Sequence, residues 1–345
     1  SWANASSTHQ AGRASKALLE AARSAVAGSI GANPADLVLT AGGTEACNLG
    51  LRGLAAGRSR VVTTDIEHPA VSQSVASLRA KGRELVSLPV PAGRPFEAAE
   101  LAERVDGHTL VALQWVNHET GTLFPIAEYA AVCQERGALL FVDATQALGK
   151  LPIDVESLGL DAMAVAAQKI GGPAGAGACW VRRGLDLLPV THGGTQERGR
   201  RPGTLDSLSM TGFAAACASL EAKLDAQARI GRQRDALERR LSTLGAVPNQ
   251  GDPRVPTVSN MSFAGWEGAV LVAALDLEGV CVSTGAACSS GLQEPSAVLR
   301  AMYPDEQWRA RSAVRISLGF ETSDDEIEQA LRVFGRVLER TPEKT

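Results

Sequence analysis

Along the first half of the chain, short apolar runs alternate with segments of helical spacing. The apolar runs predict strands and include DLVLT (36–40), RVVTTD (60–65), TLVALQWV (109–116) and ALLFVDAT (138–145). Apolar runs without a polar alternation are typical of strands buried on both faces. Their alternation with helices indicates a mostly parallel sheet covered on both sides, over about residues 36–183.

The pattern changes in the second half. A long helical stretch is predicted from about Ser207 to Leu244, followed by the Pro/Gly-rich connector GAVPNQGDPRVP. Beyond the connector we predict strands at TVSNMSF, VCVSTG and VRISLG, with helices at 266–279 and 324–340. The chain therefore divides into a large α/β domain, residues 1–247, and a smaller α+β domain, residues 248–345.

Composition narrows the class of protein. The chain has 345 residues, of which 45% are hydrophobic and 4% aromatic, and a formal net charge of −4. An apolar fraction of this size excludes a disordered chain, and the charge gives no reason to expect nucleic acid or a membrane surface as partner. Apolar runs long enough for a membrane span and a signal-peptide core are both absent from the sequence. We expect a cytoplasmic protein.

The six cysteines are Cys47, Cys133, Cys179, Cys217, Cys281 and Cys288. They form no CxxC pair, so the sequence predicts neither a metal site nor a disulfide framework. Five are expected to pack as small apolar residues. Cys288 differs, because it lies among Gly, Ala and Ser without a bulky apolar neighbour, and such a loop suits a reactive thiolate.

Three further features follow predicted strands, where open α/β sheets bind ligands. In AGGTEACN, Gly42 and Gly43 precede a helix whose N-terminus could hold a phosphate, although a plain turn is the default interpretation. Asp143 follows ALLFV, where a helix cap is locally favoured over a partner for a pyridinium nitrogen. Lys169 is one of six lysines and lies between a buried strand and a Gly-rich loop, where a desolvated amine can form a Schiff base.

Taken in order, these pieces resemble one known family. The matching segments are NASSTHQAGR, TAGGTEACNLGLRG, EHPAV, VNHETG, VDATQALGKLPIDV, QKIGGPAGAGACWVRRG, HGGTQERGRRPGT, VSTGAACSSGLQEPSAVLRAM and VRISLG. They resemble the pyridoxal-phosphate-dependent cysteine desulfurases of aminotransferase class V, in the branch with the longer catalytic loop. The resemblance implies a fold type I transferase with a mostly parallel seven-stranded sheet, and it indicates that the family's opening segment is missing from this sequence.

The resemblance also implies the residues of the site. It assigns cofactor contacts to Gly43, Thr44, His68, Asp143, Gln146, Gln168, Lys169 and Thr204. Lys169 would carry pyridoxal 5'-phosphate, Asp143 would pair with the pyridinium nitrogen, and His68 would stack on the ring. Gln146 would bind the phenolic oxygen, and Thr204 would reach a phosphate across a homodimer interface. Arg315 would grip the substrate carboxylate, with His118 also at the substrate.

The implied reaction converts L-cysteine to L-alanine. Cys288 would take the sulfur as a persulfide, with Lys169 and His68 as the other catalytic residues, and would pass it to an acceptor protein or thiol, as in iron–sulfur cluster assembly. Two alternatives stay open. One is another class V enzyme, such as a selenocysteine or cysteine lyase or an aminotransferase. The other is a degenerate homologue that serves as a sulfur-relay or assembly partner.

Three positions depart from the family pattern. Where the family usually has Ser and His just before the lysine, this chain has Ala166 and Gln168, and His118 stands where the family has Asn. Gln168 and His118 can still donate hydrogen bonds, whereas Ala166 cannot. Each lost hydrogen bond costs about 0.5–1.5 kcal/mol, so the three changes would weaken the hold on the cofactor or signal a different substrate. We expect the cofactor still to bind, because Lys169, Asp143, His68 and Gln146 are all present.

Overall fold

A computed structural model describes residues 3–249, 251–285 and 294–340. They separate into two compact units. The first contains the chain up to Leu88, Phe96–Trp115 and Pro125–Leu224, and the second contains Pro89–Pro95, Val116–Phe124 and the chain from Asp225 onward. The units thus divide at Asp225, earlier than the boundary expected after residue 247, and the second unit also takes two short segments from the first half of the sequence.

The first unit is built on a mixed sheet. Its strands are β1 (Leu37–Thr40), β2 (Arg60–Thr64), β3 (Glu84–Leu88), β4 (Thr109–Gln114), β5 (Leu139–Asp143), β6 (Ala162–Ala166) and β7 (Gly177–Val181). Its helices are α1 (Gln10–Gly28), α2 (Gly43–Leu54), α3 (Pro69–Arg79), α4 (Ala98–Ala102), α5 (Ile126–Arg136), α6 (Val155–Leu158), α7 (Ser207–Cys217) and α8 (Leu220–Asp225).

Seven described strands form this sheet in the order β1-β7-β6-β5-β4-β2-β3. Strands β6, β5, β4, β2 and β3 pair in parallel, whereas β7 runs antiparallel to both of its neighbours. Every residue of β4, β5 and β6 is buried, which explains their unbroken apolar runs. The predicted mostly parallel seven-stranded α/β sheet is confirmed.

The second unit is a smaller α+β structure. It contains α9 (Gln227–Thr243), β8 (Ala246–Pro248), β9 (Val258–Phe263), α10 (Gly268–Leu277), α11 (Ala297–Met302), α12 (Trp308–Ser312), β10 (Ala313–Ser317) and α13 (Asp324–Leu338). The strands form an antiparallel sheet in the order β10-β9-β8. Apolar residues of α9, including Leu237 and Leu241, share one core with Phe263 of β9 and Phe334 of α13. This shared core is why α9 belongs to the second unit.

Three local predictions were wrong. The stretch from Ser207 to Leu244 is not one helix, because it breaks into α7, α8 and α9. The connector after Leu244 contains the short strand β8, which pairs with β9. The segment VCVSTG forms no strand, since within it only Ser283 pairs with Arg315 as an isolated bridge.

Among the described residues, none of the helices combines the length and the apolar character that crossing a bilayer requires.

Candidate functional site

In the first unit, several predicted residues gather where neighbouring parallel strands end. Asp143 is the last residue of β5, where it pairs with Gln114 of β4 and Ala164 of β6. Strand β6 ends at Ala166 and leads into a short 3-10 helix, Ala167–Ile170. Because the carboxyl ends of parallel strands meet at one edge of a sheet, Asp143 and the turn that carries Lys169 lie side by side.

The N-terminus of α2 opens at the same edge. Gly42 precedes the helix with φ 145°, a backbone conformation that favours glycine. A Cβ atom at Gly43 would lie 3.1 Å from Thr145 Oγ1 and 3.2 Å from the Ala166 Cβ, so the backbone approaches both residues closely. The first amides of α2 have no partner within the helix, and they make this end suited to an anion. Thr44 is exposed beside it.

Asp143 is a buried carboxylate with local hydrogen-bond donors. The side chain is 7% exposed, and its Oδ1 accepts a hydrogen bond from the Thr145 amide at 3.0 Å. The thiol of Cys47 lies close to this carboxylate, and burial together with the Asp143 charge raises the pKa of Cys47 well above its usual value. The locally favoured helix cap was wrong, because Asp154 caps the next helix, α6. Cys47 is a contact that no sequence pattern indicated.

His68 is fixed by the start of α3. It is the N-cap residue, and its Nδ1 accepts a hydrogen bond from the Ala70 amide at 3.1 Å. Burial lowers the pKa of His68; the Asp143 charge opposes this shift and the Lys169 charge adds to it. Since Nδ1 is an acceptor, the neutral ring carries its proton on Nε2. The effects of these two charges place His68 near both Asp143 and Lys169.

Lys169 has an exposed side chain in this structure, contrary to the desolvated environment expected from the sequence. The turn that carries Lys169 is stabilised by Lys223, a residue that the sequence pattern did not indicate. The Lys223 ammonium donates to the Ile170 carbonyl at 2.5 Å and to Ser219 Oγ at 2.6 Å. The backbone around Lys169 is therefore fixed, while its amine stays accessible.

Gln146 is oriented by a second lysine, Lys150, whose ammonium donates to Gln146 Oε1. With the carbonyl oxygen engaged in this way, the amide NH₂ group is left as the donor that an incoming ligand oxygen would meet. Lys150 comes four residues after Gln146 in the motif VDATQALGK, which is the signal that could have indicated this pairing.

Two other predicted residues are exposed. Gln168 precedes Lys169 in the same short 3-10 helix. Thr204 lines a cavity of about 320 Å³ together with Arg23, Arg200 and others of the first unit. Its loop is tied to α2 by Arg201, whose guanidinium donates to both Glu45 oxygens at 2.8 and 3.1 Å.

Glu67, next to His68, is a buried carboxyl group that the motif EHPAV contains but that we had not assigned. Its side chain is 6% exposed, and Oε1 accepts from Thr64 Oγ1 at 2.7 Å. Burial raises its pKa to about 8, and the negative charges of Asp143 and Asp65 act in the same direction. Glu67 is therefore protonated at neutral pH, and no second negative charge is placed beside Asp143.

We expect Glu67→Gln to remove a pH dependence of stability. Between its usual pKa of 4.5 and about 8, the folded protein holds a proton that the unfolded chain has lost, so the free energy of unfolding falls as pH rises through this window. The variant should lack this fall, which amounts to up to several kcal/mol. Urea unfolding of the apoprotein between pH 5 and 8 measures it, with Glu135→Gln on the exposed face of α5 as control. An equal pH slope in Glu67→Gln and the natural protein would contradict the assignment.

In the second unit, the structure brings together Arg315 and His118. Arg315 lies in β10, and its Nη1 donates to the His118 carbonyl at 3.1 Å. The His118 ring is 9% exposed, and its Nε2 is 3.7 Å from Glu119 Oε1. The half-buried Arg315 guanidinium is thus anchored to the turn that contains His118, the residue that departs from the family pattern. Cys288 lies outside the described residues.

The other five cysteines differ in their surroundings. Cys47, Cys133 and Cys179 are buried, as expected for packing residues, and Cys217 is half-buried. Cys281 is exposed, so the expectation that it packs in the core was wrong. It sits in the segment that was predicted as a strand, where pairing within a sheet would have covered it.

Comparison with known proteins agrees with this architecture. The family model described as aminotransferase class-V matches residues 1–330. An IscS-like cysteine desulfurase of Mycobacterium tuberculosis is 40% identical, over 96% of this chain and 88% of its own length. Human cysteine desulfurase is 36% identical, over 98% of this chain and 76% of its own length.

Solved structures resemble the chain over a similar extent. A NifS-like protein superposes with a TM-score of 0.91 at 30% identity, covering 98% of this chain and 92% of that one. SspA, solved in complex with cysteine, superposes with a TM-score of 0.80 at 29% identity, covering 92% of this chain and 91% of that one. With its mixed sheet, its lysine turn and these relatives, the chain belongs to the class-V aminotransferase family, among the cysteine desulfurases.

Proposed function

We propose that the chain uses pyridoxal 5'-phosphate to convert L-cysteine to L-alanine and that its Cys288 receives the sulfur as a persulfide. The observation that carries the proposal is the grouping of Asp143, His68 and Lys169 at one edge of the sheet. A buried carboxylate, a neutral imidazole and an accessible amine are the groups that this cofactor chemistry requires.

The residues at this edge fit the cofactor. The close backbone approach at Gly43 and the N-terminus of the 12-residue helix α2 suit its phosphate. Asp143 would hold the pyridinium nitrogen, the Gln146 amide would donate to the phenolic oxygen, and Lys169 would bind the aldehyde carbon. When bound, the cofactor supplies an electron-withdrawing ring conjugated to the substrate α-carbon.

Residues of the chain itself would bind the substrate, move the protons and accept the sulfur. Arg315 would bind the substrate carboxylate with its guanidinium, which the His118 carbonyl helps to orient. Lys169 and His68 would move protons, His68 through Nε2 because Nδ1 is occupied by the Ala70 amide. Cys288, as a thiolate, would attack the substrate sulfur, forming a sulfur–sulfur bond as the carbon–sulfur bond breaks. The electron pair of the broken bond stays with the β-carbon, which takes a proton to become the methyl group of alanine.

The departures from the family pattern change the phosphate end of the site. Ala166 offers a methyl group where a hydroxyl would donate, and this methyl lies against Gly43. The phosphate would rely on α2 amides, Thr44 and Gln168, with Thr204 supplied by the second subunit of a homodimer. We further propose that the persulfide passes to an acceptor protein or small thiol, as in iron–sulfur cluster assembly.

The test is alanine release from L-cysteine by the cofactor-loaded protein, with and without a thiol reductant. A reductant should accelerate release over many turnovers, because it removes sulfur from Cys288 and regenerates the thiolate. Without it, the expected result is about one alanine per subunit, followed by slow turnover. A fully loaded protein that releases no alanine would overturn the proposal and favour the degenerate sulfur-relay homologue.

A further inference from the structure

The turn after β4 contains a second buried acid, Glu119, whose contacts reach distant parts of the second unit. Its side chain is 2% exposed. Its backbone is held on both sides, since the Glu119 amide donates to Asn117 Oδ1 at 2.9 Å and the Glu119 carbonyl accepts from Asn260 Nδ2 at 3.2 Å. The carboxyl group is thus presented from a rigid position.

One contact of this carboxyl group lies at Ser296, immediately before α11. Ser296 Oγ donates to Glu119 Oε2 at 2.5 Å and accepts from the Leu299 amide at 3.0 Å as the N-cap of α11. The single hydroxyl therefore ties the start of α11 to Glu119.

A second contact lies at Gly285, on the other side of residues 286–293. Gly285 has φ 49°, and a Cβ atom there would lie 2.9 Å from the same Oε2 atom of Glu119. Two residues earlier, the Ser283 amide donates to the Arg315 carbonyl at 3.1 Å, and the Arg315 amide donates to the Ser283 carbonyl at 2.7 Å. The Gly285 backbone thus passes close to the same carboxylate oxygen that Ser296 Oγ binds, and the chain at Ser283 is paired with the strand of Arg315.

We propose that Glu119 is a positioning residue that fixes these two chain ends, at Gly285 and Ser296, relative to the Arg315–His118 pair. The positioning role of Glu119 rests on these contacts alone. Its effect on catalysis rests on the proposed function. Cys288 is three residues from Gly285, so its rate of attack depends on where the ends are held. The Arg315 side chain is anchored separately by the His118 carbonyl, so substrate affinity should change less than the rate of sulfur transfer.

The test compares Glu119→Gln and Ser296→Ala with Ser296→Thr, which keeps the hydroxyl, and with Ser323→Ala. Ser323 is the N-cap of α13 and provides a matched control for the lost cap. Persulfide formation on Cys288 should slow about tenfold in the first two variants, with less than about threefold change in KM and with unchanged cofactor absorbance. Ser296→Thr should restore the rate. The double variant should be no slower than the slower single one, because Glu119→Gln weakens and Ser296→Ala removes the same contact between these two side chains.

A second measurement does not depend on activity. Amide hydrogen exchange in peptides covering 280–285 and 294–300 should increase in Glu119→Gln and Ser296→Ala, and it should not increase in Ser323→Ala. Unchanged exchange in both variants, or an equal change in Ser323→Ala, would overturn the inference. Failure of the natural protein to form any persulfide would instead refute the proposed function and leave the exchange result to decide the role of Glu119.

Discussion

Lys169→Ala is expected to abolish both the visible absorbance of the lysine-bound cofactor and the formation of alanine. The amine is the group that bonds to the cofactor aldehyde, and no other described lysine lies on the turn beside Asp143 and His68. We expect a loss of activity of about 10³-fold or more. Absorbance spectra of protein incubated with pyridoxal phosphate, together with an alanine assay, measure both effects.

The fold should tolerate this change. Lys169 is exposed, and the hydrogen bonds that hold its turn come from Lys223. Lys81→Ala, at an exposed turn after α3, is the matched control and should retain absorbance and activity. Retention of the cofactor band in Lys169→Ala would show that another amine carries the cofactor, whereas a colourless natural protein would count against cofactor binding altogether.

Cys288→Ala is expected to eliminate persulfide formation and to reduce alanine release by about 10²-fold or more. Without the thiolate, no group accepts the substrate sulfur, although Lys169 and Arg315 can still bind the cofactor and L-cysteine. The cofactor spectrum should therefore still change when L-cysteine is added. Mass spectrometry of the intact protein after a single turnover, which detects one added sulfur atom, is the direct measurement.

Cys281→Ala provides the control for this prediction. Cys281 is an exposed thiol in the same unit and would also react with general thiol reagents. Its replacement should leave both the added sulfur and the rate unchanged. Sulfide release at the full rate by Cys288→Ala would show instead that the enzyme is a lyase that needs no thiolate acceptor.

The sequence predicted most of the first unit correctly, since β4, β5 and β6 consist of residues that are all buried. For such strands the apolar run is itself the consequence of burial on both faces. The prediction from sequence was less accurate from Ser207 onward. The chain breaks at 218–219 and 226, and the last break separates α8 from α9, whose apolar residues join a core formed by residues far apart in sequence.

In the candidate site, too, local patterns were predictable and contacts between residues far apart in sequence were not. The motifs indicated Asp143, His68 and Lys169 because their spacing around strands and glycines is local. They did not indicate Cys47 or Lys223, each of which acts through a contact to a motif residue far away in sequence. A contact of this kind leaves no periodic signal in the chain.

By itself, the sequence determined the fold class, the family and the side chains available for chemistry, because these depend on residue type and on spacing along the chain. Only the tertiary structure decided which groups share an environment. It placed Glu67 beside Asp143, so that burial and a like charge keep Glu67 protonated. It also placed Glu119 against both Gly285 and Ser296, residues more than 160 positions away in sequence. A buried charge takes its properties from neighbours in space, and the folded chain alone supplies them.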